Sequence, residues 1–171
     1  EGQKLWSRNI QKEEGDFAFQ WTFSSSPLLY EGKLYLQVLQ RDTPVHGKGF
    51  KDRANESYLL AMSPTTGKTL WKHVRPSKAK AESRESFATP MPFTFRGQKQ
   101  LLIIGGDDLT AHDPSTGNEL WRWGTWNPTR IGHWRHVPSP IASDDVILVC
   151  APKRDPIYAI KAGGAGLLND R

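Results

Sequence analysis

Apolar and polar residues alternate in short runs along most of the chain, and no stretch carries the 3.6-residue apolar period of an amphipathic helix over useful length. Strand-like runs come in pairs. Ser26-Pro-Leu-Leu-Tyr30 precedes Lys33-Leu-Tyr-Leu-Gln-Val-Leu39, Thr89-Pro-Met-Pro-Phe93 precedes Gln100-Leu-Leu-Ile-Ile104, and Ser139-Pro-Ile141 precedes Val146-Ile-Leu-Val-Cys150. Glu31-Gly32, Arg96-Gly97 and Ser143-Asp144-Asp145 supply the tight turns between them. The Ser-Pro and Thr-Pro starts suit the first residues of edge or channel-lining strands.

After each of the first two pairs the chain repeats itself. Ala61-Met-Ser-Pro-Thr-Thr-Gly67-Lys-Thr-Leu70-Trp71 matches Ala111-His-Asp-Pro-Ser-Thr-Gly117-Asn-Glu-Leu120-Trp121 at a spacing of 50 residues, the length of one propeller blade. Gly2-Gln-Lys-Leu5-Trp6 is the tail of a third copy, 65 residues before the next, with the polar insert Arg41–Ser57 absorbing the excess. The Pro-Thr-Thr-Gly and Pro-Ser-Thr-Gly segments predict type I turns in which Gly67 and Gly117 take positive φ and form the bulge closing a hairpin. Trp71 and Trp121 then fall on equivalent faces. The small Ala61 and Ala111 are expected to leave room for an indole from a neighbouring unit.

The unit is therefore four antiparallel strands, and the fold class is all-β, a β-propeller with about three blades present. The expected boundaries are a last strand of a preceding blade at 1–8, blades at 24–74 and 87–123, and an incomplete blade at 138–164. Three blades make too tight a ring, so the chain is expected to belong to a larger one. Alternatively the first strand of one copy completes the incomplete blade of another, a self-association through open blade edges.

Composition narrows the chemistry. With 37% apolar and 11% aromatic residues the chain can build a core, and no apolar run is long enough for a membrane-spanning helix. A net charge of +5 favours acidic partners without the basic arm of a nucleic-acid binder. A single cysteine, Cys150, excludes an internal disulfide or a two-cysteine zinc site. Hydrolase, zincin, phosphate-loop and calcium-loop motifs are missing from the sequence, and Gly105-Gly106-Asp107-Asp108 reads as a hairpin turn.

The pattern A-x-[D/S]-x-x-T-G-x-x-L-W at Ala61–Trp71 and Ala111–Trp121 resembles the pyrroloquinoline-quinone-type propeller repeat of quinoprotein dehydrogenases and BamB-like outer-membrane assembly lipoproteins. Gly2–Trp6 and a degenerate copy, Ala159-Ile-Lys-Ala-Gly-Gly164, extend the likeness over nearly the whole chain. The resemblance implies a periplasmic or extracellular location. It also implies two functions. One is a non-enzymatic scaffold binding a protein, peptide or glycan through its loops, with no cofactor in this chain. The other is a fragment of a quinone-dependent alcohol or sugar dehydrogenase with pyrroloquinoline quinone and calcium. Such enzymes hold the quinone against a vicinal disulfide, which Cys150 alone cannot supply.

The candidate partner surface is the connector Trp123–His136, where indoles and guanidinium groups crowd between two blades: Trp126, Arg130, His133, Trp134, Arg135 and His136. The same indoles could instead plug gaps between blades while the arginines satisfy carbonyls. His133 and His136 have no third ligand within sequence reach, so no metal site is assigned. Glu85 precedes an innermost strand at the channel mouth, and its ordinary state is a solvated turn carboxylate. The insert Arg41–Ser57 reads as a mobile surface loop and Lys72–Arg84 as a solvated charged connector.

Overall fold

The computed structural model describes residues 2–124 and 126–169. Three antiparallel sheets follow a short helix, α1 (Ile10–Glu14). The first contains β1 (Leu28–Tyr30), β2 (Lys33–Val38), β3 (Tyr58–Met62) and β4 (Thr69–Val74) in sequence order. The second contains β5 (Met91–Phe95), β6 (Gln98–Gly105), β7 (Asp108–His112) and β8 (Glu119–Trp123), and the third β9 (Ile141–Ser143), β10 (Val146–Cys150) and β11 (Ile157–Lys161). These are propeller blades, as the repeat predicts. A last strand, β12 (Gly166–Leu167), leaves the third sheet and pairs in parallel with β8 on the second.

All three sheets share one register. Leu28 faces Tyr35, Tyr35 faces Ala61 and Ala61 faces Trp71 in the first. Met91, Leu102, Ala111 and Trp121 make the same row in the second, and Ile141, Leu148 and Ala159 make it in the third. The bulge after the alanine also recurs, with register shifts between Ala61 and Met62 and between Ala111 and His112. Gly67 and Gly117 have φ of 71° and 81°. Their amides donate to Ser63 O and Asp113 O, each at 2.8 Å. Asp113 Oδ1 caps its turn by accepting from Ser115 N at 2.6 Å and Thr116 N at 3.1 Å, while Ser63 Oγ accepts from Thr66 N at 3.2 Å.

The contact between blades differs from the expected one. Each alanine faces the indole of its own hairpin, and the Trp71 indole reaches the turn of the following sheet. A Cβ on Gly117 would lie 2.7 Å from the Trp71 ring, and Trp71 Nε1 donates to Pro114 O at 3.2 Å. Tyr35 Oη donates to the same carbonyl at 3.0 Å. One unit earlier the arrangement is repeated: a Cβ on Gly67 would lie 2.7 Å from the Trp6 ring, and Trp6 Nε1 donates to Pro64 O at 2.8 Å. Glycine serves both needs, positive φ and a bare surface for the indole. Trp121 is buried at the matching place but donates to Gln100 Oε1 at 3.0 Å.

Gln3–Ser7, expected as a strand, pairs with no other strand. The Trp6 indole docks on the turn of the first sheet. Behind it, Phe17, Phe19 and Phe23 pack edge-on and tilted with centroids 5.0–6.2 Å apart and cover Leu36, Val38, Leu60 and Met62 of the first sheet. Sheets one and two enclose Tyr35, Leu39, Leu59, Ala61, Leu101 and Ile103. Sheets two and three enclose the largest cluster, around Leu102, Trp121, Trp123, Ile147 and Val149.

Replacing Gly117 by Ala should cost about 2–4 kcal/mol, the sum of positive-φ strain and an overpacked indole. Gly97→Ala, at φ 82° with nothing within 4 Å of the new methyl, should cost only about 1 kcal/mol. Urea denaturation of the two variants measures the difference, and equal losses would remove the indole contact from the account.

Candidate interaction face

Antiparallel topology places the ends of β4 and β8, the starts of β5 and β9 and the β2–β3 and β6–β7 connections at one end of the sheets. The connectors there are tied to one another. Ser86 pairs with Leu39 on one side and, in parallel, with His136 on the other. His136 N donates to Glu85 O at 3.1 Å and Phe87 N to His136 O at 2.9 Å. Ser83 Oγ donates to Ile131 O at 2.6 Å and accepts from Trp134 N at 2.7 Å. The 3-10 turn Ala81–Arg84 is thereby clamped to the connector that follows β8.

Burial divides the predicted site residues. Trp126 is 4% exposed, tilted against Trp123 and His136 at centroid distances of 5.4 and 6.0 Å. His136 is 1% exposed, and burial pushes its imidazole down to about 4. These two belong to the seam between the second and third sheets, the gap-filling role weighed for the connector's indoles. Trp134 is half-buried against the same cluster. Arg130 and Arg135 pair with carboxylates rather than carbonyls: Arg130 Nη1 lies 3.2 Å from Asp107 Oδ2, and Arg135 binds Glu82. His133 is exposed, away from buried His136, and no group of three His, Cys, Asp or Glu among the described residues could hold a metal ion.

Glu85 corrects the expectation of a solvated carboxylate. Its side chain is fully buried, Oε1 accepts from Arg41 Nε at 2.6 Å and from Gln20 N at 3.1 Å, and Arg41 also binds Gln20 Oε1. A buried ion pair with added hydrogen bonds fixes geometry more than it adds stability. What it fixes here is the backbone beside Trp21. That indole is 59% exposed, and the Arg135 guanidinium lies 6.0 Å from its ring centroid. Trp21, Gln20, Arg41, Glu82 and Ser83 were not picked out in the sequence. Trp21 shares its register with Arg84 and Trp134, seven residues before the first position of each row, a signal readable only once the register is known.

Two charged segments also differ from expectation. The insert Arg41–Ser57 is organised around buried Asn55, whose Oδ1 accepts from Phe50 N at 2.6 Å and whose backbone N–H donates to Asp42 O at 2.9 Å. In Lys72–Arg84 the Arg75 side chain is 1% exposed. Its Nε donates to Thr110 Oγ1 at 2.8 Å and its Nη2 to Asp108 O at 3.0 Å, and burial lowers the guanidinium to about 10. Asn127 Nδ2 donates to Asp107 Oδ1 at 2.8 Å, locking the β6–β7 turn to the same face, while burial raises the Asp107 carboxyl.

The sequence model for the family described as outer membrane protein assembly factor BamB matches residues 1–163. The chain belongs to this family. Membership makes it a β-propeller scaffold or binding module of the quinoprotein-like repeat type. No curated protein matches the chain. No helix among the described residues is long and apolar enough to cross a membrane. Cys150, at the end of β10, is a free thiol.

Buried His136 and His112 give the fold a pH dependence. Burial holds them at about 4 and about 3, while the unfolded chain protonates near 6.5, so the unfolded state binds more protons as pH falls below 6.5. Stability should drop between pH 6.5 and 4 by about 3 kcal/mol per histidine. Thermal melts of His136→Phe across this range should show roughly half the loss of the native chain. An unchanged slope would mean that His136 is protonated in the fold.

Proposed function

We propose that this chain is a non-enzymatic scaffold that binds a protein or peptide segment through the Trp21–Arg135 part of its loop face. One observation carries the reading: an indole left 59% exposed on a segment whose backbone is held by a buried ion pair. Tryptophan and arginine dominate the energetic centres of protein interfaces, and a pre-held indole loses little freedom on binding. Arg135 is oriented by Glu82, and His133 and Val137, two residues before and after it in sequence, are exposed.

The family's description, an assembly factor for outer membrane proteins, supports a polypeptide partner over a glycan and a periplasmic or extracellular location. Glu85 is a positioning residue in this scheme, and Trp126 and His136 support the face from inside. Binding requires no cofactor. The dehydrogenase alternative gains nothing from the residues present, since the disulfide that such sites use cannot form.

Crosslinking in a periplasmic extract, with a photoreactive group on His133, tests the reading. Proteins captured by the native chain should be lost, by tenfold or more, from Trp21→Ala and Arg135→Ala and retained by Lys68→Ala at the opposite end of the sheets. Capture of the same proteins at the same yield by all three variants would rule out this surface.

A further inference from the structure

Charges at the loop end are layered. In three of its ion pairs the carboxylate lies underneath and the guanidinium outermost: the Glu85, Asp107 and Glu82 side chains are 0%, 0% and 12% exposed, those of their partners Arg41, Arg130 and Arg135 14%, 28% and 32%. Arg84 and Asp42 have the reverse order, at 13% and 45%. Arg130 and Arg135 each spend one nitrogen, Nη1, on the carboxylate, which leaves the other N–H groups of each fork for an incoming acceptor. Lys78 and Lys80, exposed on the connector that leads into the 3-10 turn, pair with no carboxylate among the described residues. A Cβ on Gly132 would lie 3.8 Å from that of Lys80, so this cation sits against the segment carrying Arg130 and Arg135. Arg75, buried in the same connector as the two lysines, bonds to a hydroxyl and a carbonyl instead of a carboxylate.

On the basis of the binding role proposed above for the Trp21–Arg135 face, we infer that its partner segment is acidic, with an Asp or Glu two residues from the apolar side chain that covers Trp21. A segment reaching this surface meets guanidinium and ammonium groups before most of the carboxylates. Its own carboxylate gains charge-assisted hydrogen bonds there, whereas a lysine in the same place meets like charge. The spacing follows from the geometry. The Arg135 guanidinium lies 6.0 Å from the Trp21 ring centroid, and side chains two residues apart on one face of an extended chain are roughly 7 Å apart. Residues i and i+2 of one strand therefore reach the indole and the guanidinium together. Glu82 serves this contact from behind: it holds the Arg135 fork in place, so less freedom is lost when a second carboxylate binds.

Titration of the isotope-labelled chain with synthetic peptides, read at the side-chain N–H signals of Trp21 and Arg135, tests this. The probe is a Gly/Ser peptide with one Phe and an Asp two residues to either side of it, and two control peptides carry Ser or Lys in place of Asp. The Asp peptide should bind roughly tenfold tighter than the Ser peptide, lose most of that gain at about 0.5 M salt, and leave the Lys peptide without a measurable shift. Lys80→Glu should weaken the Asp peptide by roughly fivefold, and Lys68→Glu, at the opposite end of the sheets, should not. No shift with any peptide, an unaltered Lys80→Glu variant, or binding to phosphatidylglycerol vesicles in preference to the Asp peptide would each overturn the inference. Equal binding of all three peptides that Trp21→Ala abolishes would overturn the acidic partner alone. Failure of the binding role of Trp21 looks different: Trp21→Ala would then bind the Asp peptide as tightly as the native chain does, with the preference for Asp intact.

Discussion

The Trp71 indole rests on the bare backbone of Gly117 and donates its N–H to Pro114 O, so one side chain joins two sheets by a steric and a polar constraint at once. A side chain on the glycine would displace the ring, and a turn without positive φ there would turn the carbonyl away. Trp6 on Gly67 and Pro64 makes the same joint one unit earlier, although its segment is not a strand. The angle and spacing between sheets are thus set by a short element carried in each repeat, and the apolar clusters fill the space so defined. Everything at the loop end, including the placement of Trp21 and Arg135, depends on how neighbouring sheets are seated.

The two ends of the stack show what happens where the joint is lacking. In the third sheet Ala159 holds its register, but no indole-bearing strand stands opposite it among the described residues, and β12 crosses to β8 instead. Trp121, without a following Pro-Gly turn, takes Gln100 of its own sheet as acceptor. At the first sheet a phenylalanine cluster covers the outer apolar face, whereas Ile141 and Leu148 of the third sheet are exposed.

The repeat was legible because its letters have local causes: a turn that needs glycine, a bulge, and an aromatic at fixed offset. The strand pairs and their hairpins follow from the same short-range rules, and Glu31, Arg96 and Asp144 take the positive φ that those turns require. The partner of the indole was not legible, since Ala61 and Gly117 are both small and sequence spacing does not say which one the ring meets. The connectors were the least legible. Glu85, Arg75 and Asn55 look solvent-bound by composition, but Glu85 and Arg75 are buried by partners 33 to 65 residues away in sequence whose approach the stacked sheets create, and Asn55 by partners 5 and 13 residues away in its folded insert. Trp21 was overlooked for a related reason: it lies outside the repeat, and its importance comes from the Glu85–Arg41 pair that holds the neighbouring backbone.

The seating of each indole on the next turn can be read in solution from proton–proton contacts. Nuclear Overhauser effects should connect the Trp71 ring to the Gly117 α-protons and the Trp6 ring to the Gly67 α-protons, with both indole N–H groups slow to exchange. Trp71 contacts confined to its own sheet, or a rapidly exchanging Trp71 N–H, would contradict the account.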